Sequence, residues 1–190
     1  MLIYIHGFNS SALSYKAGLV SARMAELGRS AEFACPELPD RPARAVAVLE
    51  ACMHHAKGDD VALIGSSLGG FYATSLAERY AVRAVLVNPA VRPYELLEQA
   101  LGPQENLYTH AKYEFTQQHL SELRALEVPQ ITPSRYFLVT RTGDEVLDYR
   151  DAVEKYRGCD QLVIEGGDHG FDDFGRYLDR ALAFCGVLAP

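Results

Sequence analysis

The residues best suited to chemistry in this chain of 190 residues begin with a serine in a glycine-rich motif. Gly65-Ser66-Ser67-Leu68-Gly69 has the G-x-S-x-G pattern and lies directly between a strand-like and a helix-like run. In this pattern the central serine sits on a sharp turn, and small residues two positions away on each side avoid a collision. The spacing predicts Ser67 as a nucleophile and Ser66 as a spectator. The alternative is a glycine-rich turn in which Ser67 only caps the helix.

A histidine far along the chain is the candidate base for this serine. Serine is a weak nucleophile at neutral pH and needs a group that takes its proton. His169 follows the last predicted strand and has glycines nearby on both sides, where the carboxyl ends of parallel strands converge. The alternative is an ordinary solvated histidine in a loop. The order of serine, acid and histidine along the chain is one in which such triads occur.

Three carboxylates compete for the role of orienting His169. Asp144 is the first acidic residue beyond the fifth predicted strand, and it is predicted as the third member of the triad. Asp148 precedes a helical run and is expected to cap it. Glu145 is longer and is expected to point away from its neighbour Asp144. The alternative is that Asp144 is only a turn residue.

Two backbone N–H groups are expected to stabilise the oxyanion of a tetrahedral intermediate. One belongs to Leu68, the residue after the nucleophile, and the other to Phe8, in the loop after the first predicted strand. His6 in the same loop is expected to orient the backbone. The glycine-rich segment lacks the Lys-Ser/Thr pair of a phosphate-binding loop and the G-x-G-x-x-G spacing of a dinucleotide site.

The elements that must position these residues alternate along the chain. Apolar runs predict six strands, and helical spacing of apolar residues predicts five helices between and after them. The predicted strands are 2–5, 31–35, 61–64, 83–87, 136–140 and 161–165, and the predicted helices are 12–27, 41–57, 68–80, 149–156 and 171–185. Continuous apolar strands separated by helices indicate a parallel sheet covered on both faces.

One segment interrupts this alternation. Between Pro89 and Pro129 about forty residues contain no predicted strand, and 94–101 and 115–126 are expected to be helical. So long a connection is either a lid over the pocket or an elaborated crossover. We treat 90–129 as a lid-like insertion and expect Leu97 and Tyr108 to line the substrate pocket.

Composition excludes several classes of function. Hydrophobic residues make up 48% and charged residues 23% of the sequence, which is typical of one ordered domain over 1–190. The net charge is −7 without a basic cluster, so neither nucleic acid nor an anionic membrane is expected as a partner.

The ends and the cysteines of the chain suggest a location. No apolar run reaches the roughly 20 residues of a membrane span, and the first residues lack the basic head of a signal peptide. The four cysteines are far apart and not at metal-ligand spacing, so we expect reduced, mostly buried thiols and no bound metal. These features favour a cytoplasmic protein.

Five blocks of the sequence resemble the YqiA-like esterases, a compact branch of the α/β-hydrolase superfamily found in bacteria. The blocks are YIHGFNSS (4–11), GSSLGGFYAT (65–74), NPAVRP (88–93), TGDEVLDYR (142–150) and IEGGDH (164–169). Together they span nearly the whole chain. Ala12 replaces an expected proline and Asp168 an expected asparagine, and neither belongs to the predicted triad.

The resemblance implies a reduced α/β-hydrolase fold with strand order 2-1-3-4-5-6. It also implies hydrolysis of carboxylic esters, and of acyl thioesters as a further substrate class, without a cofactor. Acyl transfer to an alcohol or thiol is an alternative on the same triad. A hydrolase-fold protein that binds a ligand without turnover is a second alternative. Neither the natural substrate nor the oligomeric state follows from the resemblance.

Overall fold

A six-stranded parallel sheet forms the centre of the protein, described by a computed structural model for residues 1–56 and 61–189. Its strands are β1 (Leu2–Ile5), β2 (Phe33–Ala34), β3 (Ala62–Ser66), β4 (Arg83–Val87), β7 (Tyr136–Arg141) and β8 (Asp160–Ile164), and a separate hairpin pairs β5 (Gly102–Glu105) with β6 (Lys112–Phe115). The sheet order is β2-β1-β3-β4-β7-β8. The order predicted from the sequence is therefore confirmed, once the hairpin strands are counted.

The helices surround this sheet. They are α1 (Tyr15–Glu26), α2 (Pro42–His55), α3 (Leu68–Tyr80), α4 (Pro93–Leu96), α5 (Gln117–Ala125), α6 (Tyr149–Lys155) and α7 (Leu178–Phe184). The predicted end of the second helix at residue 57 lies outside the described residues. Among the described residues, no helix combines the length and hydropathy needed to cross a membrane.

Side chains of the central strands alternate between two apolar clusters, one on each face of the sheet. Ile3 and Leu63 join the cluster that contains α2 and α3, whereas Tyr4 and Ile64 join the cluster that contains α1 and α7. Successive strand residues point to opposite faces, so strands buried on both sides consist almost wholly of apolar residues. This packing fixes the strand ends from which the loops with Ser67, Asp144 and His169 emerge.

The prediction that 90–129 contains no strand was wrong. Residues 102–105 and 112–115 pair as antiparallel strands, with Gly102 opposite Phe115 and Glu105 opposite Lys112. These strands are short, and exposed and partly buried residues alternate along them, so they lack the apolar run that marks the central strands. The alternation in Lys112-Tyr113-Glu114-Phe115 was the available signal.

The predicted last helix, 171–185, is also shorter than expected. A 3-10 turn covers Phe174–Arg176, and α7 begins only at Leu178. Phe171 has φ of 57°, which an α-helix does not allow, and it packs in the core with Phe174. The apolar spacing that predicted a helix here comes instead from a compact loop.

Candidate active site

Ser67 occupies a strained turn between β3 and α3. Its φ of 54° and ψ of −122° are unusual for a residue other than glycine. A Cβ on Gly65 would lie 2.3 Å from the Gly69 carbonyl oxygen, and a Cβ on Gly69 would lie 2.0 Å from the Ile5 carbonyl oxygen. Only glycine fits at both positions, as the motif predicts.

The serine, the histidine and the aspartate come together at the carboxyl edge of the sheet. His169 Nε2 lies 3.1 Å from Ser67 Oγ, and His169 Nδ1 lies 2.8 Å from Asp144 Oδ2. Both are hydrogen-bond distances, and together they connect the Ser67 hydroxyl through the His169 ring to the Asp144 carboxylate. Ser66, by contrast, is only 6% exposed. The arrangement lets His169 take a proton from Ser67 while Asp144 holds the opposite ring nitrogen.

Asp144 is held rigidly for this contact. Its side chain is 1% exposed, and its Oδ1 accepts hydrogen bonds from the backbone N–H groups of Val146 and Leu147 at 2.9 and 2.8 Å. The second oxygen, Oδ2, is thereby directed at His169. Asp148 instead caps α6 by accepting from the Arg150 N–H at 3.0 Å. The structure thus separates the two carboxylates into the positions that the sequence suggested.

Two further side chains fix the backbone of the histidine loop, and sequence reasoning assigned neither of them a role. Glu145 Oε2 accepts from the His169 N–H at 3.0 Å. The Asn88 side-chain amide donates to the carbonyl oxygens of Asp168 and His169, both at 3.2 Å. Asn88 is 1% exposed, and its own oxygen accepts from the Arg141 N–H at 2.9 Å. His169 is therefore held at its N–H, its carbonyl and its ring.

The signals for these two residues differed in strength. Asn88 follows β4 directly and has φ of 41°, a conformation that asparagine adopts more readily than most residues. Its place at a strand end beside the predicted triad could have suggested a role. Nothing in the sequence distinguishes Glu145 as a backbone acceptor, because its partner lies 24 residues away.

The two expected oxyanion donors flank Ser67. A Cβ on Gly7 would lie 3.2 Å from Ser67 Cβ, which places the loop of Phe8 against Ser67. Leu68 is the first residue of α3. In the part of the chain that the structure describes, neither the Phe8 N–H nor the Leu68 N–H donates to a backbone acceptor outside regular elements. Both groups remain available for a ligand.

A cavity of about 350 Å³, which we call the catalytic cavity, contains the reactive groups. Its walls include Ser67, His169, Lys16 and Tyr108. Burial lowers the pKa of Lys16, whose Nζ donates to the Gly170 carbonyl. The structure brings Tyr108 to this cavity, as the sequence predicts.

Leu97 is placed elsewhere. It lies on a 3-10 turn after α4 and packs against the apolar cluster that contains α3. It does not line the cavity that contains Ser67. Leu97 was expected to line the substrate pocket, whereas the structure brings the hairpin, and not the turn before it, to the wall of the cavity that contains Ser67.

The thiols and the possible metal ligands of the described residues offer no competing reactive group. Cys35, Cys52, Cys159 and Cys185 are free in the structure, and burial raises the pKa of Cys35 and of Cys185 to about 12. Among residues 1–56 and 61–189, no three His, Cys, Asp or Glu side chains are grouped so that they could hold a metal ion. Ser67 is therefore the best candidate nucleophile.

Comparison with solved structures identifies the fold. A protein of Agrobacterium vitis S4 superimposes with a TM-score of 0.73 at 20% identity, covering 97% of this chain and 87% of that chain. Est1E from Butyrivibrio proteoclasticus has a TM-score of 0.69 at 16% identity, covering 97% and 85%. Mouse alpha/beta hydrolase domain-containing protein 10 has a TM-score of 0.67 at 17% identity, covering 98% and 87%. The fold is that of the α/β hydrolases.

The family follows from the sequence itself. The chain belongs to UPF0227, an uncharacterised protein family whose sequence profile matches residues 1–186. This is the YqiA family, so the resemblance seen in the five sequence blocks is confirmed. Because the family is described as uncharacterised, its chemistry must be argued from the site.

Proposed function

We propose that this protein is a serine hydrolase that cleaves acyl esters and acyl thioesters. The observation that carries the proposal is the continuous contact from Ser67 Oγ through the His169 ring to Asp144, at 3.1 and 2.8 Å. Asp144 favours the tautomer in which His169 Nδ1 carries hydrogen, which leaves Nε2 free to accept the serine proton.

The reaction would proceed through an acyl-enzyme. Ser67 Oγ attacks the carbonyl carbon while its proton passes to His169 Nε2, and the oxyanion accepts hydrogen bonds from the N–H groups of Phe8 and Leu68. The tetrahedral intermediate collapses, and His169 gives the proton to the departing alcohol or thiol. Water, deprotonated by the same imidazole, then attacks the acyl-serine ester, which releases the acid and restores Ser67.

Two features of the surroundings favour this reaction over simple ligand binding. The strained backbone at Ser67 is retained although it costs stability. The backbone N–H of His169 donates a hydrogen bond to Glu145, and the backbone carbonyl of His169 accepts one from Asn88. Preorganisation of this kind contributes to catalysis, because a small misplacement of a reacting group slows the reaction strongly.

The test is hydrolysis of a panel of aryl esters and acyl thioesters by the wild-type chain, Ser67→Ala and Ser66→Ala. We expect the wild type and Ser66→Ala to turn over at comparable rates. Ser67→Ala should lose several orders of magnitude in kcat, on the order of 10⁴ or more, with an unchanged Tm. Equal activity of wild type and Ser67→Ala would refute the proposal, as would absence of turnover across the panel.

A further inference from the structure

A second cavity, of about 460 Å³, adjoins the catalytic cavity. The two cavities share Gly7, Phe8 and Ser10 in their walls. The second cavity is also lined by Leu68, whose N–H is one of the proposed oxyanion donors. A carbonyl group held between the N–H groups of Phe8 and Leu68 therefore lies where the two cavities meet.

The position of the histidine decides which half of an ester each cavity would receive. His169 Nε2 must protonate the departing oxygen or sulfur, so the leaving group must lie on the histidine side. His169 lines the catalytic cavity and not the second cavity. The acyl arm of the substrate accordingly extends past Phe8 into the second cavity.

Two polar groups in the wall of the second cavity lack hydrogen-bond partners among the described residues, and one of them is a fully buried atom. His6 is 4% exposed, and its Nε2 is buried without a partner. Tyr72 is 3% exposed, and burial raises its pKa, yet its hydroxyl forms no hydrogen bond with the described residues. A buried polar atom such as His6 Nε2 nearly always has a partner in proteins, which here a ligand or water must supply, and the Tyr72 hydroxyl is free to bind the same ligand.

The same wall carries two carboxylates. Glu37 and Asp40 both line the second cavity, and in the described part of the chain neither forms an ion pair with Lys or Arg. Asp40 Oδ2 lies 3.2 Å from His119 Nε2. The Thr116 N–H donates to His119 Nδ1 at 3.0 Å, so a neutral His119 that donates from Nε2 satisfies both contacts without adding charge.

The cations near these carboxylates each have another carboxylate partner. Arg41 interacts electrostatically with Asp40, but its guanidinium group forms an ion pair with Glu122. Lys112 also lines the second cavity, but its Nζ lies 3.9 Å from Glu105 on the neighbouring strand. Burial lowers the pKa of His6, whose Nε2 is 4.0 Å from Glu37, so this imidazole is neutral near pH 7. The wall of the cavity therefore holds two carboxylates and one ammonium group, that of Lys112, beside neutral hydrogen-bonding groups.

We propose that the second cavity binds the acyl arm of the substrate and selects acyl groups that end in a hydrogen-bond donor over those that end in a carboxylate. The donor is an ammonium or a hydroxyl group. Glu37 and Asp40 favour it by charge, and His6 Nε2 and the Tyr72 hydroxyl favour it by hydrogen bonding. This inference rests on the serine hydrolase function proposed above and adds its acyl specificity.

The experiment compares four aryl esters that differ only at the end of a chain of similar length: heptanoyl, 6-hydroxyhexanoyl, 6-aminohexanoyl and the monoester of adipic acid. We expect kcat/KM to be at least about tenfold higher for the ammonium ester than for the carboxylate ester, since charges at short range in a partly buried site interact strongly. The kcat/KM of the heptanoyl ester should lie between those of the ammonium ester and the carboxylate ester. If kcat/KM is higher for the ammonium ester than for the hydroxyl ester, the carboxylates cause the selection. If the two values are equal, His6 and Tyr72 cause it.

The variants separate the two contributions. The double substitution Glu37→Gln and Asp40→Asn should bring the ratio of ammonium to carboxylate ester close to one. Tyr72→Phe should lower the ratio of hydroxyl to heptanoyl ester. Glu114→Gln is the matched control, because it removes one negative charge from an exposed position outside the cavity wall, on the strand that contributes Lys112 to that wall. It should leave both ratios within about twofold, as expected for a screened surface charge.

Failure of this inference is distinguishable from failure of the proposed function. A preference for heptanoyl over both donor-bearing esters, or a ratio of ammonium to carboxylate ester near one in the wild type, overturns the selectivity while ester hydrolysis stands. If no ester is cleaved, calorimetric titration of Ser67→Ala with the same esters still decides the matter. Tighter binding of the ammonium ester supports the acidic pocket, and equal binding of ammonium and carboxylate esters overturns it.

Discussion

The side-chain amide of Asn88 donates a hydrogen bond of 3.2 Å to the backbone carbonyl of His169. This contact ties the loop after β8 to the end of β4, two strands away in the sheet. Beyond β8 the chain has no regular structure until residue 174, so side chains rather than a helix or strand must hold His169 in place. The alignment of the imidazole with Ser67 therefore depends on residues that do not touch a substrate.

We expect Asn88→Asp to lower kcat by roughly 10²-fold, the scale associated with a misplaced catalytic group, with little change in KM. The aspartate would set a carboxylate oxygen against the carbonyls of Asp168 and His169, where the amide now donates. Steady-state kinetics measure the split between kcat and KM, and thermal unfolding checks the fold. Thr140→Val is the control, because it removes only the weaker 3.3 Å donor to Asn88. Equal kcat for Asn88→Asp and the wild type would show that the loop of His169 keeps its position without the hydrogen bonds from Asn88.

Asp144→Asn should lower kcat by about 10⁴-fold with little loss of Tm. The asparagine oxygen can still accept from Val146 and Leu147, while its amide faces His169 Nδ1 and forces the tautomer that cannot take the serine proton. Asp148→Asn is the matched control and should be mild in kcat and Tm, because asparagine also caps helices well. A larger loss of kcat in Asp148→Asn would transfer the role to Asp148.

The glycines of the turn can be tested through stability. Gly69→Ala should unfold the protein or prevent its accumulation, because the new Cβ would lie 2.0 Å from the Ile5 carbonyl oxygen. Gly18→Ala on α1 has no atom within 4 Å of the new Cβ and should raise the free energy of unfolding by about 1 kcal/mol. Urea denaturation of both variants measures the contrast. A folded, stable Gly69→Ala would mean that the turn is not as tight as described.

The hairpin and the turn before it should respond differently to truncation. Tyr108→Ala should alter the preference for the chain length of the alcohol part of an ester more than it alters Tm, because Tyr108 lines the catalytic cavity, which receives the leaving group, and is 42% exposed. Leu97→Ala should lower Tm and leave the preference unchanged, because Leu97 packs against the core. Hydrolysis rates across a homologous ester series give the preference. A changed chain-length preference in Leu97→Ala, with no change in Tyr108→Ala, would indicate that Leu97 and not Tyr108 contacts the substrate.

Thiol reagents should leave the activity intact. Burial raises the pKa of Cys35 and of Cys185 to about 12 and that of Cys159 to about 11, so these groups stay protonated and unreactive at pH 8. Their thiolate fraction grows only as the pH rises towards those values. Incubation with iodoacetamide at pH 8, followed by an ester assay, checks the expectation. Rapid inactivation would indicate that a thiol takes part in the reaction.

Much of the sheet, and the proximity of Ser67, His169 and Asp144, could be predicted because they depend on local patterns. The strand Ala62–Ser66 begins with the apolar residues 62–64. The glycines two positions before and after Ser67 are required because a Cβ at either position would collide with the backbone. The hairpin escaped prediction because its strands are polar and short, and they are stabilised by contacts far away in the sequence. Tyr113, for example, donates to Asn9 at 2.7 Å.

The supports of His169 escaped prediction for a related reason. Asn88 and Glu145 act on backbone groups 81 and 24 residues away, and no local spacing encodes such a contact. The position of Leu97 was misjudged because an apolar residue in an insertion can face either the pocket or the core. Which face it takes depends on the packing of α4 and the following turn, and sequence periodicity over so few residues does not determine it.

The most direct measurement of the central claim is the site of covalent labelling by a fluorophosphonate, which reacts with an activated serine hydroxyl. After incubation of the wild-type protein, intact mass spectrometry should show one adduct per chain, and peptide mapping should place it on Ser67. Ser67→Ala should remain unlabelled, and Asp144→Asn should label slowly because the imidazole is in the wrong tautomer. An adduct on Ser66 or Ser10, or a wild-type protein that resists labelling, would contradict the assignment of Ser67 as the nucleophile.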